Sequence, residues 1–228
     1  MKTFRMIVLL LLGSLLSGTA VAQETIFNVP SGDVLDKGKT YGEFDFAYLW
    51  NASAGTYTPR FVVGIGHQVE IGMNVNGITT PGSSQATPTP TIKWRVYDKN
   101  GWAFLVGDHL YVPVQNKTYD IGNYVYAEVT KTFESKMRLT MGTYDCTSHV
   151  FAAGNKAGGQ FGIEQPLNTR VTLAADWFTG HHAAGYFTPG AAIKLSSKAT
   201  LYAAYEIGNS DVSHGNHLLL VELGWNFN

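Results

Sequence analysis

A single cysteine, Cys146, in a chain of 228 residues excludes an intrachain disulfide framework. Charge is also scarce. Asp, Glu, Lys and Arg make up 14% of the residues and nearly cancel to a net −1, which excludes a basic nucleic-acid-binding surface. Beyond the first twenty-odd residues, no apolar run is long enough for a membrane-spanning helix, so an α-helical bundle in a bilayer is excluded as well. A mean hydropathy of −0.03 looks like that of a soluble domain. It is equally the value of a β-barrel that hides its lipid face in alternation. Aromatic residues, at 13%, and 25 glycines are what the chain has in quantity.

The first residues carry a basic start, Lys2 and Arg5, then an apolar run from Met6 to Leu16 and a small-x-small pattern at Ala20-Val21-Ala22. This order predicts a secretory signal peptide over 1–22. The run is too short for a spanning helix. Residues 23–39 lack clean periodicity and read as an N-terminal lead-in on the periplasmic side, and 40–228 as one barrel domain.

From residue 40 onward, segments of roughly ten residues alternate apolar and polar. The pattern predicts about twelve strands, with ten to fourteen compatible: 40–50, 57–66, 68–78, 89–98, 101–114, 120–133, 136–147, 157–166, 168–179, 186–195, 198–208 and 216–227. Short links near Gly66–Gln68, Asp98–Gly101, Phe133–Lys136, Gln165–Asn168 and Ser196–Lys198 alternate with longer ones, such as Thr79–Pro88 and Thr147–Ala157. Tight turns at one end and longer loops at the other predict an all-β, up-and-down antiparallel transmembrane β-barrel. Phe44, Phe46, Tyr48 and Trp50 share one strand face, opposite Glu43 and Asp45. Val171, Leu173, Ala175 and Trp177 likewise oppose Arg170, Thr172 and Asp176.

Alternation alone also fits a soluble barrel or sandwich with its apolar face inside. Three features favour the membrane. Strands of ten or more residues suit a tilted span. Tyr48, Trp50, Trp102, Trp177, Phe178, Trp225 and Phe227 fall near strand ends, as interfacial girdles do. Pro59, Pro113, Pro166 and Pro189 fall near predicted strand ends, where a lost donor is tolerated.

The final strand places Leu219, Val221, Leu223, Trp225 and Phe227 at alternate positions. It resembles the C-terminal assembly signal of bacterial outer-membrane β-barrels of the porin-like kind. That family usually ends on the aromatic, whereas here Asn228 follows Phe227. The resemblance implies Leu223, Trp225 and Phe227 as the assembly signal. It also implies an outer-membrane location, lipid contact and the barrel-assembly machinery as a partner during insertion.

With polar faces inward, Glu43, Asp45, Arg60, Glu70, Lys93, Arg95, Glu128, Arg138, Arg170 and Asp176 become pore-lining candidates. They could form a selectivity surface on a water channel, or a network of ion pairs filling a narrow barrel. Gly64, Gly72, Gly142, Gly162, Gly190, Ala192 and Ala204 also point inward and leave room, which favours a conduit. His149, His181, His182, His214 and His217 fall in or beside long loops without a zinc spacing, so no metal site and no cofactor are expected. Ser148 and His149 near Asp145 have the residue types of a lipid-modifying enzyme, but neighbours on a strand point apart, so no catalytic residue is assigned. Cys146 reads as a small structural residue.

The expected function is a porin-like conduit for passive diffusion of small solutes. A non-conducting structural or surface-interaction barrel is the main alternative, and an outer-membrane lipid-modifying enzyme or a secreted soluble barrel are others.

Overall fold

The computed structural model describes residues 24–82, 85–115, 120–147, 150–151, 154–209 and 217–227. The signal-peptide segment, Ser148, His149, His214 and Asn228 lie outside the described residues. The order of elements is β1 (Thr40–Leu49), β2 (Ala54–Gly66), β3 (Val69–Asn76), β4 (Ile78–Thr80), β5 (Thr87–Lys99), β6 (Trp102–Tyr111), β7 (Gly122–Thr132), β8 (Arg138–Cys146), β9 (Ala157–Pro166), β10 (Val171–Phe178), β11 (Tyr186–Lys194), β12 (Ala199–Gly208) and β13 (His217–Asn226).

Neighbouring strands pair antiparallel, and β1 closes the ring by pairing with both β2 and β13. The result is a closed twelve-strand barrel plus the short β4. That extra strand follows β3 along the same partner, β2, after a break at Gly77, whose φ is +77°. Part of the loop expected over Thr79–Pro88 is therefore strand.

The tight turns follow from local chemistry. Asn100 and Gly101 both hold positive φ between β5 and β6, the two-residue hairpin for which Asn-Gly is the favoured pair. His67 and Gln68 adopt the same sign between β2 and β3 without a glycine. Pro59 and Pro189 fall inside strands rather than near their ends. At Pro189 the missing N–H coincides with a gap in the β11–β12 ladder, between Phe187 and Gly190.

The period-two pattern resolves as the membrane reading requires. Phe44, Phe61, Ile71, Met73, Ile92, Trp94, Phe104, Leu173 and Leu223 lie exposed on the outer wall. Glu43, Asp45, Glu70, Lys93, Glu128, Asp176, Glu206 and Glu222 are buried inside it. Phe178 departs from the expected girdle: it is buried in the lumen, because its neighbour Trp177 takes the outer face.

The N-terminal lead-in, aperiodic in sequence, lies inside the barrel. Residues 24–35 fold back from the start of β1 into the barrel, where Ile26, Phe27 and Val29 are almost completely buried. A tight turn holds the segment, with the Ile26 N–H donating to the Val29 carbonyl at 2.7 Å and the Ser31 N–H to Glu24 at 3.1 Å. Ile26 and Phe27 pack with Ala174, Tyr202, Ala204 and Leu220, and Val29 packs with Tyr124, Tyr126, Tyr144 and Phe178. Each such burial contributes roughly 1.5–3 kcal/mol.

Candidate functional site

The lumen is the candidate site, and its centre is the internal segment. One carboxylate oxygen, Asp176 Oδ2, accepts the backbone N–H groups of Phe27 at 2.9 Å, Asn28 at 2.6 Å and Val29 at 2.8 Å. Asp176 has no Lys or Arg partner among the described residues; three oriented amides take that place. The Asn28 side chain donates to Thr188 Oγ1 at 2.9 Å and to Glu206 Oε1 at 2.8 Å.

Other walls hold the rest of the segment. Lys93 Nζ lies 2.9 Å from Glu70 Oε1 and donates to the Glu24 and Ser31 carbonyls at 3.2 and 3.5 Å. Glu70 Oε2 accepts the Leu35 N–H at 2.9 Å. Arg138 reaches Asp33 at 2.8 Å and Glu164 at 3.4 Å. Arg60 lies 2.5 Å from Asp45, 3.7 Å from Glu43 and 3.9 Å from Glu24. Breaking such buried pairs costs several kcal/mol, so the segment and the wall order one another.

The inward glycines acquire a different meaning from the one their smallness predicts. A Cβ on Gly162 would overlap Ile26 Cδ1, and one on Gly190 would lie 2.7 Å from Phe27 Cζ. At these two positions the room is filled by the lead-in's own apolar side chains.

The predicted lining residues divide into three groups. Glu43, Asp45, Arg60, Glu70, Lys93, Glu128, Arg138 and Asp176 all face inward. Glu128 accepts from Gln160 Nε2 at 3.0 Å, and the Gln160 carbonyl oxygen accepts from the Tyr124 hydroxyl. Arg95 sits at the short-turn rim, bonded to Gln68 and 3.2 Å from Asp98, next to a bulge between Arg95 and Tyr97. Arg170 does not line the lumen: it is exposed in the turn before β10, which begins at Val171 rather than at the predicted residue 168.

A vestibule of about 490 Å³ opens on the long-loop side of the segment. Thr25, Phe27 and Asn28 form its floor, and Asp45, Arg60, Glu206 and Glu222 its lower wall. Tyr111, Tyr124, Phe178 and Phe151 line its upper part. Sequence reasoning leaves open whether the lead-in enters the lumen, although Ile26, Phe27 and Val29 in an aperiodic stretch are a signal that it is not simply solvated.

His182, expected among solvated loop histidines, is fully buried at the vestibule's edge. It stacks on Phe151 at 4.6 Å, its Nε2 lies 2.6 Å from the Tyr144 hydroxyl, and its Nδ1 accepts the Ala184 N–H at 3.2 Å. Tyr144 in turn donates to the Thr179 carbonyl at 2.7 Å. Burial, with a smaller contribution from His181, lowers the His182 pKa, while a backbone bond to Thr179 opposes the shift. His181 and His217 are exposed, the latter stacked on Tyr205. Cys146 points inward into the aromatic cluster. Leu223, Trp225 and Phe227 lie exposed on the outer wall, near the short-turn end.

No protein-family model and no curated protein matched the chain. Solved structures did. A KdgM porin in complex with disordered oligogalacturonate superposes with a TM-score of 0.61 at 8% identity, covering 82% of this chain and 99% of that one. The COG4313 outer-membrane channel from Pseudomonas putida F1 gives 0.51 at 12% identity, covering 87% and 100%. An outer-membrane phospholipase A from Escherichia coli gives 0.47 at 14% identity, too slight a likeness to argue from. At these identities the match speaks for the fold: this chain has the closed β-barrel architecture of bacterial outer-membrane porins and channels.

Proposed function

We propose that the chain is an outer-membrane barrel of the porin type, through which small solutes pass by passive diffusion when residues 24–36 withdraw from the lumen. The observation that carries this reading is that the lumen is filled by a segment held only by noncovalent contacts, while Gly162 and Gly190 keep the wall behind it bare. A twelve-strand wall encloses more space than the packed eight-strand barrels, and removing the filler would open it. The shared fold with a porin and a channel supports the same class. Outer-membrane lipid would meet the apolar outer wall, and the barrel-assembly machinery would read Leu223, Trp225 and Phe227. The reading invokes no enzymatic step.

A second reading has its own support. Lys93, Arg60 and Arg138 are each paired with acids in the lumen, as in a permanently plugged scaffold.

Planar-bilayer recording separates the two. The mature chain and a variant lacking residues 24–36 are refolded and checked for heat-dependent mobility on cold SDS gels. The expected result is little or no conductance from the full chain and steady, weakly ion-selective steps from the variant. A folded variant that stays silent rejects the conduit and leaves the scaffold.

A further inference from the structure

The closing seam of the barrel carries an electrostatic conflict. Asp45 on β1 lies directly across from Glu222 on β13, and Glu43 lies two residues along the same face as Asp45. Like charges placed directly opposite on paired strands are destabilising. One ligand oxygen from each of the three lies within 4.8 Å of the others. Glu24 adds a fourth acid at the far side of Arg60, 3.9 Å from it. Arg60 is the cation ion-paired to this group, through Asp45 Oδ2 and Glu43 Oε1.

Glu222 supplies the independent observation. It is 1% exposed, and neither of its carboxylate oxygens has a hydrogen-bond partner among the described residues. Asp45 Oδ1 and Glu43 Oε1 also lack a hydrogen bond, whereas Glu43 Oε2 accepts from the Tyr41 hydroxyl at 2.5 Å and Asp45 Oδ2 from Arg60. Four buried oxygens therefore remain without a hydrogen donor, on three residues that face one another. Such groups are costly unless a proton or a cation compensates them.

We propose that Glu43, Asp45 and Glu222 bind a calcium-like divalent cation that clasps the closing seam between β1 and β13. The donors are hard carboxylate oxygens, the choice of Ca²⁺ and Mg²⁺ rather than of softer metals. Oxygens within 4.8 Å of one another are close enough to share one ion, and Ca²⁺ tolerates an irregular set of about six to eight oxygens, whereas Mg²⁺ demands a near-ideal octahedron. Glu222, with both oxygens free, can chelate from one side. Asp45 and Glu222 also line the vestibule, which provides an entry path and water for the remaining positions.

The test uses the full mature chain refolded in an uncharged detergent at pH 7.5. Terbium is titrated and its tyrosine-sensitised emission followed, since Tyr41 bonds Glu43 and Tyr202 pairs with Glu222 across the strands. Calcium is then used to displace it. One saturable site, displaced by calcium and weakened at least tenfold in Glu222→Gln, is expected. Asp45→Asn provides the second variant, and both are checked for folding by gel mobility. Calcium should also raise the unfolding temperature of the wild type but not of Glu222→Gln. Absence of saturable emission from the folded wild type, or affinity unchanged in both variants, overturns the proposal and assigns the compensation to protons.

Discussion

The backbone N–H of Asn28 donates to Asp176 Oδ2 at 2.6 Å across 148 positions of chain, between amides of Phe27 and Val29 that use the same oxygen. Replacing Asp176 by Ala leaves three buried donors without their acceptor. Bonds to a charged group are worth about 1.5–3 kcal/mol. Amide exchange at residues 27–29 should quicken by at least tenfold while the ladders of β7 and β8 keep their protection. Equal protection in wild type and variant would show that packing alone holds the segment.

Gly162→Leu should push the segment out by another route. Its Cβ would overlap Ile26 Cδ1, and overpacking of this kind costs about 1–3 kcal/mol. Limited chymotrypsin digestion in vesicles should then cut after Phe27 or Leu35 more than ten times faster than in the wild type. A digestion rate equal to that of the wild type would mean that the wall yields instead.

Lys93→Met strands Glu70 and frees two carbonyls of the lead-in. Loss of one partner from a buried pair costs about 3–5 kcal/mol. Urea unfolding in lipid should show that loss. Adding Glu70→Gln, which retains an oxygen for the Leu35 N–H, should recover part of it. A double variant no more stable than Lys93→Met alone would argue against the pair as a unit.

The His182 loop should respond to acid. The Ala184 N–H points at Nδ1, so the neutral ring is the form that fits, with Nε2 toward Tyr144. Burial lowers its folded-state pKa below the usual 6.5. Its contribution is therefore complete above pH 6.5 and declines as pH falls from there toward the lowered folded-state value. Protection factors at residues 180–185, with exchange corrected for its intrinsic pH dependence, should fall between pH 7.5 and pH 5, and His182→Gln should remove that fall. A pH-independent loop in the wild type would contradict the assignment.

The wall was legible because one short-range rule governs it. Phe44 and Asp45 face opposite ways whatever else the chain does, and a twelve-strand count follows from such pairs and the turns between them. The boundary at Val171 was missed by three residues, which put Arg170 on the wrong side of it. The lead-in followed no local rule. Its fold is dictated by partners on β5, β8, β10 and β12, and Asp176 carries no sign in the sequence that it will meet amides rather than a base. The inward glycines were visible, but a bare wall reads alike whether water or Phe27 lies against it.

The lead-in touches Arg60 on β2, Lys93 on β5, Arg138 on β8, Asp176 on β10 and Glu206 on β12. No partial arc of the cylinder offers that whole set. Contacts so distant along the chain are slow to form. The stretch of polypeptide that precedes β1 is thus the one whose berth is finished last, and it must stay unfurled until the late hairpins arrive.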